Sequence, residues 1–345
     1  MRSMGHEKSK ADPCLYFKWT ENGLLLWLSW IDDCLCVGHP VEVAKAREEI
    51  LNKFECDDIG EVKEYLGCKI DRNWEDRQVR LTQPVLLQSY EDEFELPPTG
   101  RSTNTPALAG SVLSPDVEDE EVVGKEMHSS YRTGVGKLLH VARWSRPETW
   151  NAVRELTRAV KGPSMMHYNA MLRLMRYSVD TPERGWLLKP TRTWDGKSKF
   201  EFVISGRSDS DYAKCPATRR SVSGHNVKLE GAVIICKSGM QKTTTLSVTE
   251  SETVAGVTCA QDMMYAKNIV ESIGLKVKLP MRLEIDNRGA VDMAQNCSSG
   301  GRTKHMEIRM LWLSELQEKG ILDVRWIRGE DNETDIQTKN VSGPL

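Results

Sequence analysis

The sequence of 345 residues has no long apolar run. Its longest, from Leu24 to Ile31, is interrupted by Ser29 and is far shorter than the roughly 20 residues that a membrane helix needs. The opening residues, MRSMGHEKSKADP, have no apolar core of the kind found in a signal peptide. We therefore expect an intracellular chain, cytoplasmic or nuclear, with no membrane partner.

Paired cysteines, cofactor motifs and an excess of positive charge are also absent. The nine cysteines include no C-x-x-C pair, which excludes disulfide frameworks and zinc ribbons and is typical of a reducing compartment. No H-E-x-x-H motif, Walker-type loop or G-x-G-x-x-G motif occurs. The net charge of -3, from 47 basic and 50 acidic residues, excludes a generally basic nucleic-acid binder. Any nucleic-acid function must therefore depend on specific sites.

Changes in composition divide the chain into four segments. Residues 1–95 contain strand patterns in two hairpins, each followed by a helical pattern, which predicts an α+β module. Residues 96–128 are rich in proline and acidic residues and predict a solvated linker. Residues 129–184 contain three helical patterns. Residues 185–345 show three strand patterns and then alternating helices and strands, which predicts a mixed α/β sheet.

Four acidic residues in the last segment lie at the ends of predicted elements. They are Asp209, a few residues after a strand at 202–204, Glu252 in the first turns of a helix, Asp286 at the end of the next strand, and Asp335 at the start of the last helical segment. Strand ends and helix starts on one side of a mixed sheet converge. Four convergent carboxylates would repel one another unless cations lay between them, and hard oxygen ligands favour Mg²⁺ or Mn²⁺.

These four residues therefore predict a two-metal site for phosphodiester hydrolysis, in which one ion activates water and the other stabilises the leaving 3′ oxygen. The alternative interpretation is that they are solvated acids at element ends, where Asp and Glu are common.

Nine strings of the sequence, in order over nearly the whole chain, resemble the C-terminal part of a copia-type retrotransposon polyprotein. The strings are WIDDCLCVG (30–38), YLGCKI (65–70), LTQPVLLQSYEDEF (81–94), SRPETWNAVRELTR (145–158), GRSDSDYAKCPATRRSVSGH (206–225), SVTESETVA (247–255), LEIDNRGAVDMAQN (283–296), RTKHMEIR (302–309) and GEDNETDIQTK (329–339). The resemblance implies a partial reverse transcriptase palm and thumb, a helical connection, and then a ribonuclease H-like domain with a mixed five-stranded sheet and helices. The elements predicted from the residues fit that order.

The resemblance places Asp32 and Asp33 in the hairpin of a polymerase's paired-aspartate motif, with Trp30 where the family usually has Tyr. Without the resemblance, the pair is an ordinary hairpin turn. Polymerases need another metal-binding Asp from an upstream strand. The only Asp that precedes Asp32 is Asp12. We therefore interpret the pair as a vestigial polymerase half-site and expect no reverse transcriptase activity from this chain alone.

For the ribonuclease H-like domain, the resemblance implies that the catalytic, metal-binding residues are Asp209, Glu252, Asp286 and Asp335. Two neighbours stay open as ligands, because Asp211 and Glu250 each lie two residues from a preferred member. In a strand, residues two apart share a face, but on a helix Glu250 points away from Glu252. We favour Asp209 over Asp211 and Glu252 over Glu250.

A basic stripe is a second candidate feature. Arg302, His305 and Arg309 recur at helical spacing, which places them along one face suited to the phosphates of a nucleic acid. A solvated helix face is an equally natural interpretation.

The leading hypothesis is a ribonuclease H-type endonuclease that uses two Mg²⁺ or Mn²⁺ ions to cut the RNA strand of RNA–DNA hybrids. The alternative is a non-catalytic retrotransposon remnant that binds nucleic acid or completes a polymerase supplied by another polypeptide. A truncated palm exposes sheet edges and apolar surface, so obligatory partnering would favour the alternative.

Overall fold

The computed structural model describes residues 1–100, 104–114, 121–295 and 304–342. The strands are, in chain order, β1 Glu7–Lys8, β2 Leu15–Thr20, β3 Gly23–Trp30, β4 Asp33–Val37, β5 Glu64–Tyr65, β6 Cys68–Asn73, β7 Gln78–Thr82, β8 Trp186–Leu188, β9 Glu201–Phe202, β10 Ile204–Asp211, β11 Val222–Leu229, β12 Ala232–Met240, β13 Lys276–Val277, β14 Met281–Ile285 and β15 Leu322–Trp326. The helices are α1 Pro40–Leu51, α2 Pro84–Phe94, α3 Lys125–Trp144, α4 Trp150–Arg158, α5 Met165–Val179, α6 Val248–Ser272, α7 Arg288–Gln295, α8 Lys304–Glu318 and α9 Asp335–Thr338.

The first sheet is an antiparallel meander with the order β1-β2-β3-β4. Its central strand β3 is the apolar run noted in the sequence, and its Leu25 and Trp27 side chains pack against Ala46 of α1. Pro40 starts α1. Proline is suited to this position because the first N–H of a helix has no partner within the helix, so its absence costs no hydrogen bond. The predicted hairpin at the paired aspartates is confirmed by the antiparallel pairing of β3 with β4.

A second antiparallel sheet has the order β5-β6-β7-β8. Strands β5 to β7 form the predicted second hairpin region. Strand β8 follows the helical segment in the chain, yet it pairs with β7. This pairing joins the first module to the first residues of the segment 185–345.

Helices α2 to α5 form a cluster with its own apolar core, in which Tyr131, Leu138 and Leu174 are fully buried. The structure differs here from the expected solvated linker at 96–128. Helix α3 begins inside that segment, and the segment's Leu96, Ala107 and Leu113 pack against the helical core because they are apolar residues beside an apolar surface. No helix among the described residues is long and apolar enough to cross a membrane.

The last domain is built on a mixed five-stranded sheet with the order β12-β11-β10-β14-β15, which confirms the predicted fold class. Strands β12, β11 and β10 are antiparallel, whereas β14 and β15 run parallel to β10. Helix α6 packs on one face with α7 and α8 around a core that includes Met263, Leu283 and Val324. Helix α9 lies against β10 and β11 on the opposite face, where it also contacts α4.

Strand β10 corrects one expectation. The sequence predicts a strand that ends at Ile204 and places Asp209 after it, but Asp209 lies inside β10. The polar residues Ser205 to Asp211 form a strand because β11 and β14 hydrogen-bond to both of its edges. Its small residues also allow close packing, since a Cβ added to Gly206 would lie 2.6 Å from Cys259 Sγ of α6.

Candidate metal centre

Three carboxylates meet at the face of the five-stranded sheet that α9 covers. Each of Asp209, Asp286 and Asp335 offers an oxygen, and these oxygens all lie within 4.8 Å of one another. Among the residues that the structure describes, no other group of three His, Cys, Asp or Glu side chains is close enough to share an ion. The structure thus brings together three of the four acids that the sequence singles out.

Strand register and one glycine position this group. Ser208 of β10 pairs with Ile285, the last residue of β14. Asp209, the next residue of β10, and Asp286, which directly follows β14, are thereby brought side by side. Gly224 on β11 lets α9 approach, because a Cβ at that position would lie 2.7 Å from atoms of Gln337 and Thr338.

A hydrogen bond fixes the segment that leads into α9. The Asn332 side chain donates to the Ser208 carbonyl at 3.0 Å, and it accepts from the Thr334 hydroxyl at 2.6 Å. Asp335, the first residue of α9, is thereby held beside the ends of β10 and β14.

Glu252 lies on the second turn of α6, close enough to Asp209 and Asp286 to interact with them electrostatically. Its carboxylate is almost completely buried and accepts the Ser210 backbone N–H at 3.2 Å through Oε1. Its Oε2 atom is buried and has no hydrogen-bond partner among the residues that the structure describes. A buried carboxylate oxygen without a donor needs a cation or a proton. The donor set, three convergent aspartates with the Glu252 carboxylate nearby, therefore fits Mg²⁺ or Mn²⁺.

The pKa values of the group reflect burial and mutual repulsion. Burial, followed by the charges of Asp209 and Asp286, raises the pKa of Glu252 to about 9. Burial raises the pKa of Asp209 to about 6, although Lys339 and the Thr338 hydroxyl act against it. Burial also raises the pKa of Asp286. The raised pKa values mean that the charged forms of these carboxylates are unfavourable without a partner. A bound cation would stabilise the charged forms.

Two residues that the sequence did not single out complete the surroundings. The Thr338 hydroxyl donates to Asp209 Oδ2. The Lys339 ammonium lies 2.8 Å from Asp335 Oδ1 and 3.7 Å from Asp209 Oδ2. Thr338 lies three residues after Asp335 on α9, a spacing that places side chains on one helix face and could have identified it. Lys339 follows the helix and has no such signal.

The two open alternatives are placed differently from the preferred residues. The Asp211 carboxylate lies 3.1 Å from the Lys214 ammonium. Glu250 accepts the Leu246 backbone N–H at 2.7 Å, an interaction at the start of α6. This geometry agrees with the choice of Asp209 and Glu252, which stays a prediction.

The predicted basic stripe cannot be placed as a unit. Arg302 lies outside the described residues, as does the side chain of His305. Arg309 is partly buried on α8. The stripe therefore stays a prediction.

Asp32 and Asp33 lie at an exposed hairpin tip. Asp33 pairs with Trp30, and Ile31 and Asp32 form the turn. Neither aspartate belongs to a group of three possible ligands among the described residues. The pair thus stands apart from the carboxylate group of the last domain.

Comparison with known proteins relates the whole chain to one kind of polyprotein. It is 28% identical over 348 aligned positions to the retrovirus-related Pol polyprotein from transposon TNT 1-94 of Nicotiana tabacum, an alignment that covers 99% of this chain and 25% of that protein. The corresponding protein from transposon RE1 of Arabidopsis thaliana is 24% identical and is matched over 99% of this chain and 22% of its own length. This chain is a homologue of copia-type retrotransposon Pol polyproteins. It spans about a quarter of the length of these Pol polyproteins.

Other comparisons cover part of the chain. Secreted RxLR effector protein 161 of Plasmopara viticola is 32% identical over 135 residues, an alignment that covers 39% of this chain and 89% of that protein. LC11-RNase H1, solved in complex with an RNA/DNA hybrid, matches 40% of this chain and 94% of its own at 13% identity and a TM-score of 0.31. The N-terminal RNase H domain of a Mycobacterium tuberculosis protein matches 41% of this chain and 91% of that chain, at 11% identity and a TM-score of 0.28. No protein-family model matches the chain.

Proposed function

We propose that the last domain is a ribonuclease H-type endonuclease that hydrolyses the RNA strand of RNA–DNA hybrids with two divalent ions, Mg²⁺ or Mn²⁺. The observation that carries this proposal is the convergence of oxygens from Asp209, Asp286 and Asp335 within 4.8 Å. The homology to Pol polyproteins, which is independent of that geometry, supports a nucleic-acid substrate.

The residues have separate tasks in this proposal. Asp209, Asp286 and Asp335 would hold the ions, and the free Oε2 of Glu252 would supply a further ligand. Bound divalent ions supply activation of water and stabilisation of the leaving 3′ oxygen. The hybrid would be held through its backbone and recognised by its 2′-hydroxyl groups, without reading of its sequence.

The variant Asp286→Asn tests the proposal. It replaces one ligand with a neutral side chain of the same shape, so Mg²⁺-dependent cleavage of a labelled RNA–DNA hybrid should fall to background. The melting temperature should not fall, because the substitution removes a negative charge from a group of carboxylates that repel one another. Cleavage and thermal unfolding are measured on the same preparation.

Asp292→Asn is the matched control. Asp292 is exposed on α7 and lies six positions after Asp286, so this variant should cut as fast as the parent. Hybrid cleavage by Asp286→Asn at the parent's rate would show that Asp286 is not a ligand and that the proposed site is wrong.

A second candidate function is a non-catalytic module that completes a polymerase supplied by another polypeptide. The exposed apolar side chains of the first module favour it, since Ile31, Ile59 and Trp74 are between 76% and 90% exposed. A parent protein that binds a hybrid but does not cut it with Mg²⁺ would support this candidate. Either function is proposed for an intracellular compartment, cytoplasm or nucleus, as the cysteine pattern predicts.

A further inference from the structure

The carboxylate group already contains a positive charge from its own chain. The Lys339 ammonium lies 2.8 Å from Asp335 Oδ1 and 3.7 Å from Asp209 Oδ2, so it contacts two of the three aspartates that share an ion-sized space. It also interacts electrostatically with Asp286, the third. A divalent cation at this place would meet a positive charge beside the same oxygens.

The Lys339 side chain is attached in a way that permits it to leave. Its residue follows the last residue of α9 and has an extended backbone, and its backbone N–H donates to the Asp335 carbonyl at 2.8 Å. The side chain is 39% exposed, and its ion pairs to Asp335 and Asp209 are its ionic contacts among the described residues. The backbone is therefore held while the long side chain can turn into solvent.

We propose that Lys339 is an internal counter-cation, which neutralises the carboxylates of the metal-free protein and competes with a divalent cation for them. This inference rests on the proposed metal site. When the cation binds, the ammonium leaves Asp209 and Asp335, and its displacement weakens the apparent metal affinity. Lys339 is in this sense a positioning residue, because it acts on the carboxylates and not on the substrate.

Linkage determines the direction of the effect. If the ammonium and the cation exclude each other, each weakens the binding of the other by the same coupling free energy. Removing the ammonium must therefore strengthen cation binding by that amount. The opposite result is expected if Lys339 instead supports the metal-bound site, for example through the backbone geometry of α9. Loss of the lysine would then weaken cation binding.

The test is calorimetric titration of the full chain with Mn²⁺ and with Mg²⁺, together with the rise in melting temperature that saturating Mn²⁺ produces. The neutral variants Lys339→Met and Lys339→Gln should bind both cations about fivefold or more tightly than the parent. Without metal they should melt at a lower temperature, and Mn²⁺ should raise that temperature by more than in the parent. Lys339→Arg keeps the charge and should bind no more tightly than the parent.

Lys237→Met is the matched control. Lys237 forms an ion pair with Asp262 of α6, on the opposite face of the sheet, so its loss changes the net charge equally without touching the carboxylate group. This variant should keep the parent's affinity. Unchanged or weaker binding by both neutral Lys339 variants, with normal binding by the parent, overturns the inference and leaves the proposed function intact. A parent that binds neither cation overturns the proposed function and the inference with it.

Discussion

Glu252 is a residue of the proposed site that lowers the stability of the metal-free protein at neutral and alkaline pH. Burial, together with the neighbouring Asp209 and Asp286, raises its pKa to about 9, so the folded protein holds this proton more strongly than the unfolded chain does. An acid whose pKa is raised on folding contributes most favourably to the free energy of unfolding at pH values below its ordinary pKa. Its contribution to the free energy of unfolding is then lost as the pH rises toward the folded pKa.

We expect Glu252→Gln to stabilise the metal-free protein at neutral and alkaline pH. The parent's melting temperature in EDTA should fall between about pH 5 and pH 9, and the fall should be smaller in the variant. The gain should appear as about 2–4 °C in melting temperature for each kcal/mol of repulsion and desolvation removed.

Glu271→Gln, at an exposed position of the same helix, is the control and should leave the pH dependence unchanged. A parent whose stability does not decline with pH in EDTA would contradict the raised pKa of Glu252.

At the scale of elements, the site depends on how closely α9 approaches the sheet. Gly224 of β11 lies under α9, where a Cβ would come within 2.7 Å of Gln337 and Thr338 and within 3.2 Å of the Thr334 carbonyl. Because α9 begins with Asp335, any displacement of this helix moves a proposed ligand.

Gly224→Ala should therefore lower both stability and activity. Overpacking of this kind costs about 1–3 kcal/mol in the free energy of unfolding. A misplaced ligand should reduce hybrid cleavage about tenfold to hundredfold and weaken Mn²⁺ binding. Gly239→Ala on the neighbouring strand β12 is the control, because no atom of the described part of the chain would lie within 4 Å of a Cβ there. Equal cleavage by the two variants would mean that α9 does not position the site.

At the scale of the whole molecule, hydrogen bonds join the first module to the last domain. The first module's Trp19 indole donates to the Ile273 carbonyl at the end of α6, and its Ser9 hydroxyl bonds to Ser272. Its paired aspartates, in contrast, stand at an exposed tip without a third ligand among the described residues. A polymerase must hold two ions between carboxylates from separate chain segments. Among the described residues of this module, only the hairpin with Asp32 and Asp33 matches one of those segments.

Primer extension by the purified chain should therefore yield no product with Mg²⁺ and all four deoxynucleotides. Hybrid cleavage by the same preparation is the positive control, since it shows that the protein is folded and binds the metal. Template-directed extension that is lost in Asp32→Ala would overturn the interpretation of a vestigial half-site.

The sequence alone determined the order of the elements and the identity of the acids. Apolar periodicity is a local property, so the hairpin at Asp32, the long helix around Glu252 and the strand before Asp286 could all be predicted from neighbouring residues. The acids of the site could be named because each lies in a string that resembles a known family.

Only the tertiary structure decided which groups meet. Asp209 lies in a strand with few apolar residues, and this segment is extended because two partner strands, distant in sequence, hydrogen-bond to it. Thr338 reaches Asp209 across 129 positions, and Lys339 joins Asp209 to Asp335 only because α9 folds back onto the sheet. No local pattern encodes such contacts, since they depend on the register of the sheet and on the close approach that Gly224 permits.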